Sequence, residues 1–249
     1  MRVLSLDTTT RAGSVALVDD GGIVEERGGD PLRTHAERLP NEMLALLAAH
    51  RWTLAEVKLF AVASGPGSFT GLRIGIATIQ GAAFVLRRRI AAVSALEALA
   101  CAASTHAAAG DLVGVWMDAH RQDVFSALYR IAGAELFGPN RLLEIEGPRV
   151  GSPSEALARW RSSLAHGTVP IVGDGAVRFA EVAAAEPNVR VIHSTPLLAG
   201  PIGLMALARA REGTTVEAAG VQPLYVRRPD AEIERDRRRA QPEAGQKTT

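Results

Sequence analysis

Asp7, Thr8 and Thr9 stand in "DTTTRAGS" (7–14), an acid and three hydroxyls directly after the apolar run "RVLSLD". Hydroxyls and amides at such a turn can hold phosphate, with a carboxylate near a magnesium ion. The same residues can simply satisfy a strand–turn–strand, and the octapeptide by itself favours that plainer role. The second candidate is "SGPGSFTGLRIG" (64–75). A phosphate loop needs lysine and then Ser or Thr at the helix start. Here Leu72 and Arg73 follow Gly71, and no G-x-G-x-x-G is present. What remains is a helix N-terminus able to attract an anion. Gly71, Gly75, Thr78 and Ala82 fall on one helical face, nearly bare of side chains. Glycine inside a helix costs about 1 kcal/mol relative to alanine. Close helix–helix approach compensates for that cost, so the spacing favours packing over phosphate binding.

The histidines lack the H-x-x-x-H and H-E-x-x-H spacings of helical zinc sites. His35, with Glu37 nearby, reads as an exposed residue of a capping turn. "MDAHRQDVF" (117–125) gathers acids and a histidine and reads as a solvated hairpin turn rather than a catalytic cluster. No G-x-S-x-G elbow and no Cys–His signature occurs. Cys101 is the only cysteine, which excludes an intramolecular disulfide and a cysteine zinc cluster. The expectations are no catalytic metal and a reducing, cytoplasmic setting.

The elements that must position these residues show in the periodicity. Short strands at 2–7, 13–20 and 22–29 precede a helix over 34–51, where Leu39, Met43, Leu46 and Leu47 keep helical spacing. Thr34 with Glu37, and Thr53 with Glu56, fit capping boxes. A strand at 58–64, a helix over about 71–88, a strand at 89–94 and a helix over about 95–108 follow. The second half begins again with three strands, at 111–131 and 140–147. Ser152, Pro153 and Glu155 start a helix that reaches about His166. A strand ending in a Gly turn at 169–176, a helix near 177–186, a strand at 188–194 and a helix from Thr195-Pro196 to about Arg211 complete it. A repeated β-β-β-α order predicts two related α/β halves with mixed sheets: 1–108, 109–227, and a disordered charged tail at 228–249. The 249 residues are 47% hydrophobic with net charge +1, without the bulk basic character of a nucleic-acid binder. No leader or membrane-spanning segment is expected.

"VLSLDTTTRAGSVAL", "THAERLP", "ASGPGSFTGLRIGIATIQGAAF", "VSALEALA", "MDAHRQDVFSALY" and "PLYVR" together resemble the TsaB family, also called YeaZ, over residues 1–227. The resemblance implies an actin-like, sugar-kinase-like ATPase fold with two ribonuclease-H-like lobes. It implies a role in making threonylcarbamoyladenosine beside the anticodon of tRNAs that read codons beginning with A. In that system the paralogue TsaD carries catalysis on a metal held by an H-x-x-x-H pair. The corresponding "AAVSALEALA" (91–100) has no histidine, which points to a non-catalytic partner. Pairing with TsaD through the first two helices would place His35, Leu39, Met43, Gly71, Gly75, Thr78 and Ala82 at the interface. A TsaE-like ATPase, tRNA reached through the complex, a homodimer of the free chain, and ATP or ADP at or near the heterodimer interface are further implications, with no cofactor in the isolated chain. The rival is a free-standing ATP-dependent phosphotransferase using Asp7 and "VGDGA" (172–176), which is short for an adenosine loop. A metallopeptidase lacks its histidine pair.

Overall fold

Alternation builds the first sheet. In β1 (Val3–Asp7) Leu4 and Leu6 face one core, while Val3, Ser5 and Asp7 face the other way. The computed structural model describes residues 1–165 and 167–227; His166 and the expected charged tail at 228–249 lie outside the described residues. β2 (Ser14–Asp19) and β3 (Gly22–Gly28) continue antiparallel from β1, and β4 (Leu59–Gly65) and β5 (Arg89–Ser94) add in parallel, giving the order β3-β2-β1-β4-β5. β6 (Leu112–Asp118), β7 (Val124–Ile131), β8 (Leu142–Gly151), β9 (Val169–Val172) and β10 (Val189–Val191) repeat the same order and the same strand directions as β8-β7-β6-β9-β10.

Local signals place most helices. The Thr34–Glu37 capping box opens α1 (His35–Ala49), which continues through Pro40. Ser68 accepts the Gly71 amide at the start of α2 (Phe69–Leu86), and Ser94 accepts that of Glu97 at the start of α3 (Ala95–Ala103). The Ser152–Glu155 box with Pro153 opens α4 (Pro153–Leu164). Two short helices, α5 (Asp174–Arg178) and α6 (Ala180–Ala184), replace the single helix expected near 177–186.

Two boundaries differ from expectation because side chains distant in sequence set them. α7 (Ala199–Arg211) starts four residues after Thr195, where Ser14 Oγ accepts the Ala199 amide at 2.9 Å and Glu26 accepts that of Gly200 at 2.8 Å. α3 stops at Ala103, where the buried Arg141 donates to the Ser104 hydroxyl, to the Ser104 carbonyl and to the Ala107 carbonyl.

The core has three parts. α1 and α2 cover one face of the first sheet, and α4 to α6 cover one face of the second. Between the sheets, α3 and α7 join their inner faces through Val3, Ala61, Leu96, Val115, Tyr129 and Ile202. α7 follows the second sheet in sequence, within the half expected at 109–227, and packs on β1, β2, β3, β4 and β5. α2 is long and apolar enough to cross a membrane by length and composition, and here it packs on β4 through Leu72, Ile76, Ile79 and Ala83.

Candidate functional site

A cleft of ≈930 Å³ lies where loops of both lobes converge. Its walls include Thr9, Thr10 and Arg11 after β1, the α1 start at Thr34 and His35, the Gly-rich segment from Pro66 to Gly71, Asp118 to His120 at the end of β6, Asp174 after β9, and Leu224 to Arg227. Three stretches singled out by composition thus meet at one place.

Asp7 and Thr8 do not line this cleft; both are buried beneath it. Asp7 Oδ1 accepts the Thr9 amide at 2.8 Å and the Thr9 hydroxyl at 2.5 Å, and Oδ2 accepts the Thr10 hydroxyl at 2.9 Å. Both carboxylate oxygens and the Thr9 and Thr10 hydroxyls therefore bond within the turn. A Cβ at Gly13 would meet His35 and Arg38, and one at Gly67 would lie 2.7 Å from Thr9 Cα. Of the three residues expected to contact phosphate, Asp7 and Thr8 are thus buried within the hairpin and Thr9 reaches the cleft wall.

The Gly-rich stretch answers to the same hairpin. Gly67, Gly71 and Gly75 all face it: a Cβ at Gly71 would strike the Thr8 carbonyl, and one at Gly75 the Thr8 hydroxyl. The bare helical face is a bare face toward β1, not toward a partner. Leu39 and Met43 are likewise buried in their own lobe. Of the residues expected at an interface, Leu39, Met43, Gly71 and Gly75 are thus packed within their own lobe. Thr78 and Ala82 are half-buried, and the Thr78 hydroxyl donates to the Ile74 carbonyl. His35 is half-buried, not exposed; its Nδ1 lies 2.8 Å from Arg38, and burial together with that guanidinium lowers its pKa.

On the opposite wall Asp118 pairs with Arg178 at 2.6 Å, and its amide donates to Asp174 Oδ1 at 2.9 Å. Burial raises the Asp174 carboxyl above the ordinary carboxylate range, against amide donors that lower it. Gly173 and Gly175 of "VGDGA" sit against the backbone of Trp116 and Met117, joining β9 to β6. Among the described residues no three His, Cys, Asp or Glu side chains converge as a metal cluster. Arg38, Arg141 and Arg227 carry no local signal, because their roles depend on backbone carbonyls and carboxylates brought together by the fold.

Two sheets of one repeated topology around an inter-lobe cleft define the actin-like, sugar-kinase-like ATPase fold. An activator of 2-hydroxyisocaproyl-CoA dehydratase from Clostridium difficile shares the fold at 13% identity and a TM-score of 0.50, over 86% of this chain and 97% of that one. The family model for TsaD, tRNA N6-adenosine threonylcarbamoyltransferase, matches residues 14–235. The "tRNA threonylcarbamoyladenosine biosynthesis protein TsaB" of Haemophilus influenzae is 31% identical over 91% of this chain and 94% of its own length. YeaZ from Pseudomonas aeruginosa superposes with a TM-score of 0.72 at 29% identity, covering 90% of this chain and 99% of that one. A Mycobacterium leprae relative, 30% identical over 92% of this chain, is longer, and the chain spans 55% of it. The chain belongs to the TsaB (YeaZ) family.

Proposed function

We propose that this chain is a non-catalytic subunit that pairs with a TsaD-like paralogue and supports threonylcarbamoyl transfer to the adenosine next to the anticodon of tRNAs reading codons that begin with A. Besides family membership, one observation carries the pairing. The outer face of α2 presents Ala77, Gly81, Phe84 and Val85 to solvent, the last two 78% and 77% exposed. On the neighbouring α1, Leu44, Ala45 and Ala48 are exposed as well. Large apolar side chains left open on adjacent helices mark an interaction surface. The interface stays on the first two helices but moves to the face opposite the glycines. The same face can pair two copies when the catalytic subunit is absent, and a TsaE-like ATPase then joins the pair, not this chain alone. ATP or ADP at or near the subunit interface is part of the same reading.

Phe84→Asp tests the reading. Burying a charge at a central aromatic position is expected to weaken pairing by at least 2 kcal/mol, about thirtyfold, with the melting temperature of the free chain unchanged. Calorimetric titration with the TsaD-like subunit measures it, and undiminished affinity would remove this face from the interface. ATP turnover by the chain alone, abolished by Asp7→Ala, would favour the phosphotransferase instead.

A further inference from the structure

The last described residues run along the cleft and grip both of its sides. The Leu224 amide donates to the Ser64 carbonyl at 2.7 Å, and the Leu224 carbonyl fills the space beside Gly65. The Tyr225 ring lies 5.2 Å from that of Phe69, and its hydroxyl accepts from Arg73 at 3.0 Å. These contacts belong to the first lobe. Two residues on, Arg227 donates to the Ala119 carbonyl at 2.6 Å and pairs with Asp123, both at the β6–β7 turn of the second lobe.

That turn has an unusual backbone. His120, Arg121 and Gln122 all take left-handed conformations, with φ of 58°, 53° and 67°. A residue with a Cβ disfavours this region, and three in succession need a surrounding structure that imposes it. Arg227 holds both shoulders of the turn, the carbonyl before it and the carboxylate after it.

We propose that Leu224–Arg227 is a strap across the cleft, with Arg227 clamping the β6–β7 turn in its left-handed form. Withdrawal of Arg227 then frees the turn and lets the loop-bearing sides of the two lobes separate, so cleft width is set by a segment of the chain that a ligand or partner can displace. The strap is independent of the pairing face on α1 and α2.

The full-length chain tests this with Arg227→Met, which keeps side-chain length and removes the guanidinium. Spin labels at Ala36→Cys and Glu181→Cys, both exposed, report the distance between lobes; Cys101 is buried, so it stays unlabelled. Otherwise wild-type protein should give one narrow distance, and Arg227→Met a longer or broader one. Hydrogen exchange at the Ala119 and Asp123 amides, which bond within the turn, should quicken at least about tenfold, as expected from losing a charge-assisted hydrogen bond. Asp123→Asn removes the ion pair from the other side and should reproduce both changes. Gln122→Gly, which accepts the left-handed region freely, should restore slow exchange at the turn in the Arg227→Met chain. Unchanged distances and exchange in both single variants would overturn the strap, as would exchange that rises equally throughout β6 and β7.

Discussion

A Cβ at position 75 would fall inside contact distance of the Thr8 hydroxyl, which is buried and has no hydrogen-bond partner among the described residues. Gly75→Ala is therefore expected to destabilise the fold by about 1–3 kcal/mol, the usual range for overpacking. Thr8→Ala should recover most of that loss in the double variant, because it removes the atoms the new methyl would strike. Urea denaturation of the two single variants and the double variant measures the coupling; additive losses would place the strain elsewhere. Asp174 supports a second prediction at this scale. Burial raises its pKa in the folded state, so the folded chain binds more protons than the unfolded chain between the ordinary and the raised value. Its contribution to stability is then lost as pH rises through that window and regained as pH falls. Asp174→Asn keeps an acceptor for the Asp118 and Gly175 amides and removes the buried charge. The variant is expected to be more stable than wild type at neutral pH, with the difference shrinking on acidification. A difference that grows toward low pH would contradict the burial argument.

At the scale of elements, helix ends divide by the reach of the group that closes them. The Thr34–Glu37 and Ser152–Glu155 boxes join residues three apart and were legible from spacing. The start of α7 and the end of α3 were not, because Ser14, Glu26 and Arg141 reach them across the fold. Arg141→Met should accordingly cost about 2–3 kcal/mol, since it strips charge-assisted donors from buried carbonyls. Its effect should appear in hydrogen exchange at the last turn of α3. Loss of stability without faster exchange there would mean that Arg141 acts on the 133–141 loop, where it also donates to the Gly133 carbonyl at 2.7 Å. The glycine face of α2 was legible as a close-packing surface, yet its partner was not. Spacing along a helix says which residues share a face, but not whether that face turns inward.

For the whole molecule, the repeated β-β-β-α order announced two halves, and the sheets share one strand order. Periodicity could not say where α7 docks, because an apolar helix fits either sheet. Its position has a consequence for synthesis on the ribosome. Residues 3–94 carry every strand of the first sheet, but α7 ends at Arg211. Most of the polypeptide must therefore leave the exit tunnel before that sheet gains the cover of α7. Until then Ala16, Val18 and Ala61 on its inner face have no α7 to pack against. A fragment ending at residue 108 is accordingly expected to be a poorly ordered, chaperone-dependent intermediate, and a separate peptide of residues 195–213 should order it in trans. A fragment that folds cooperatively without the peptide would show that the amino-terminal half matures on its own.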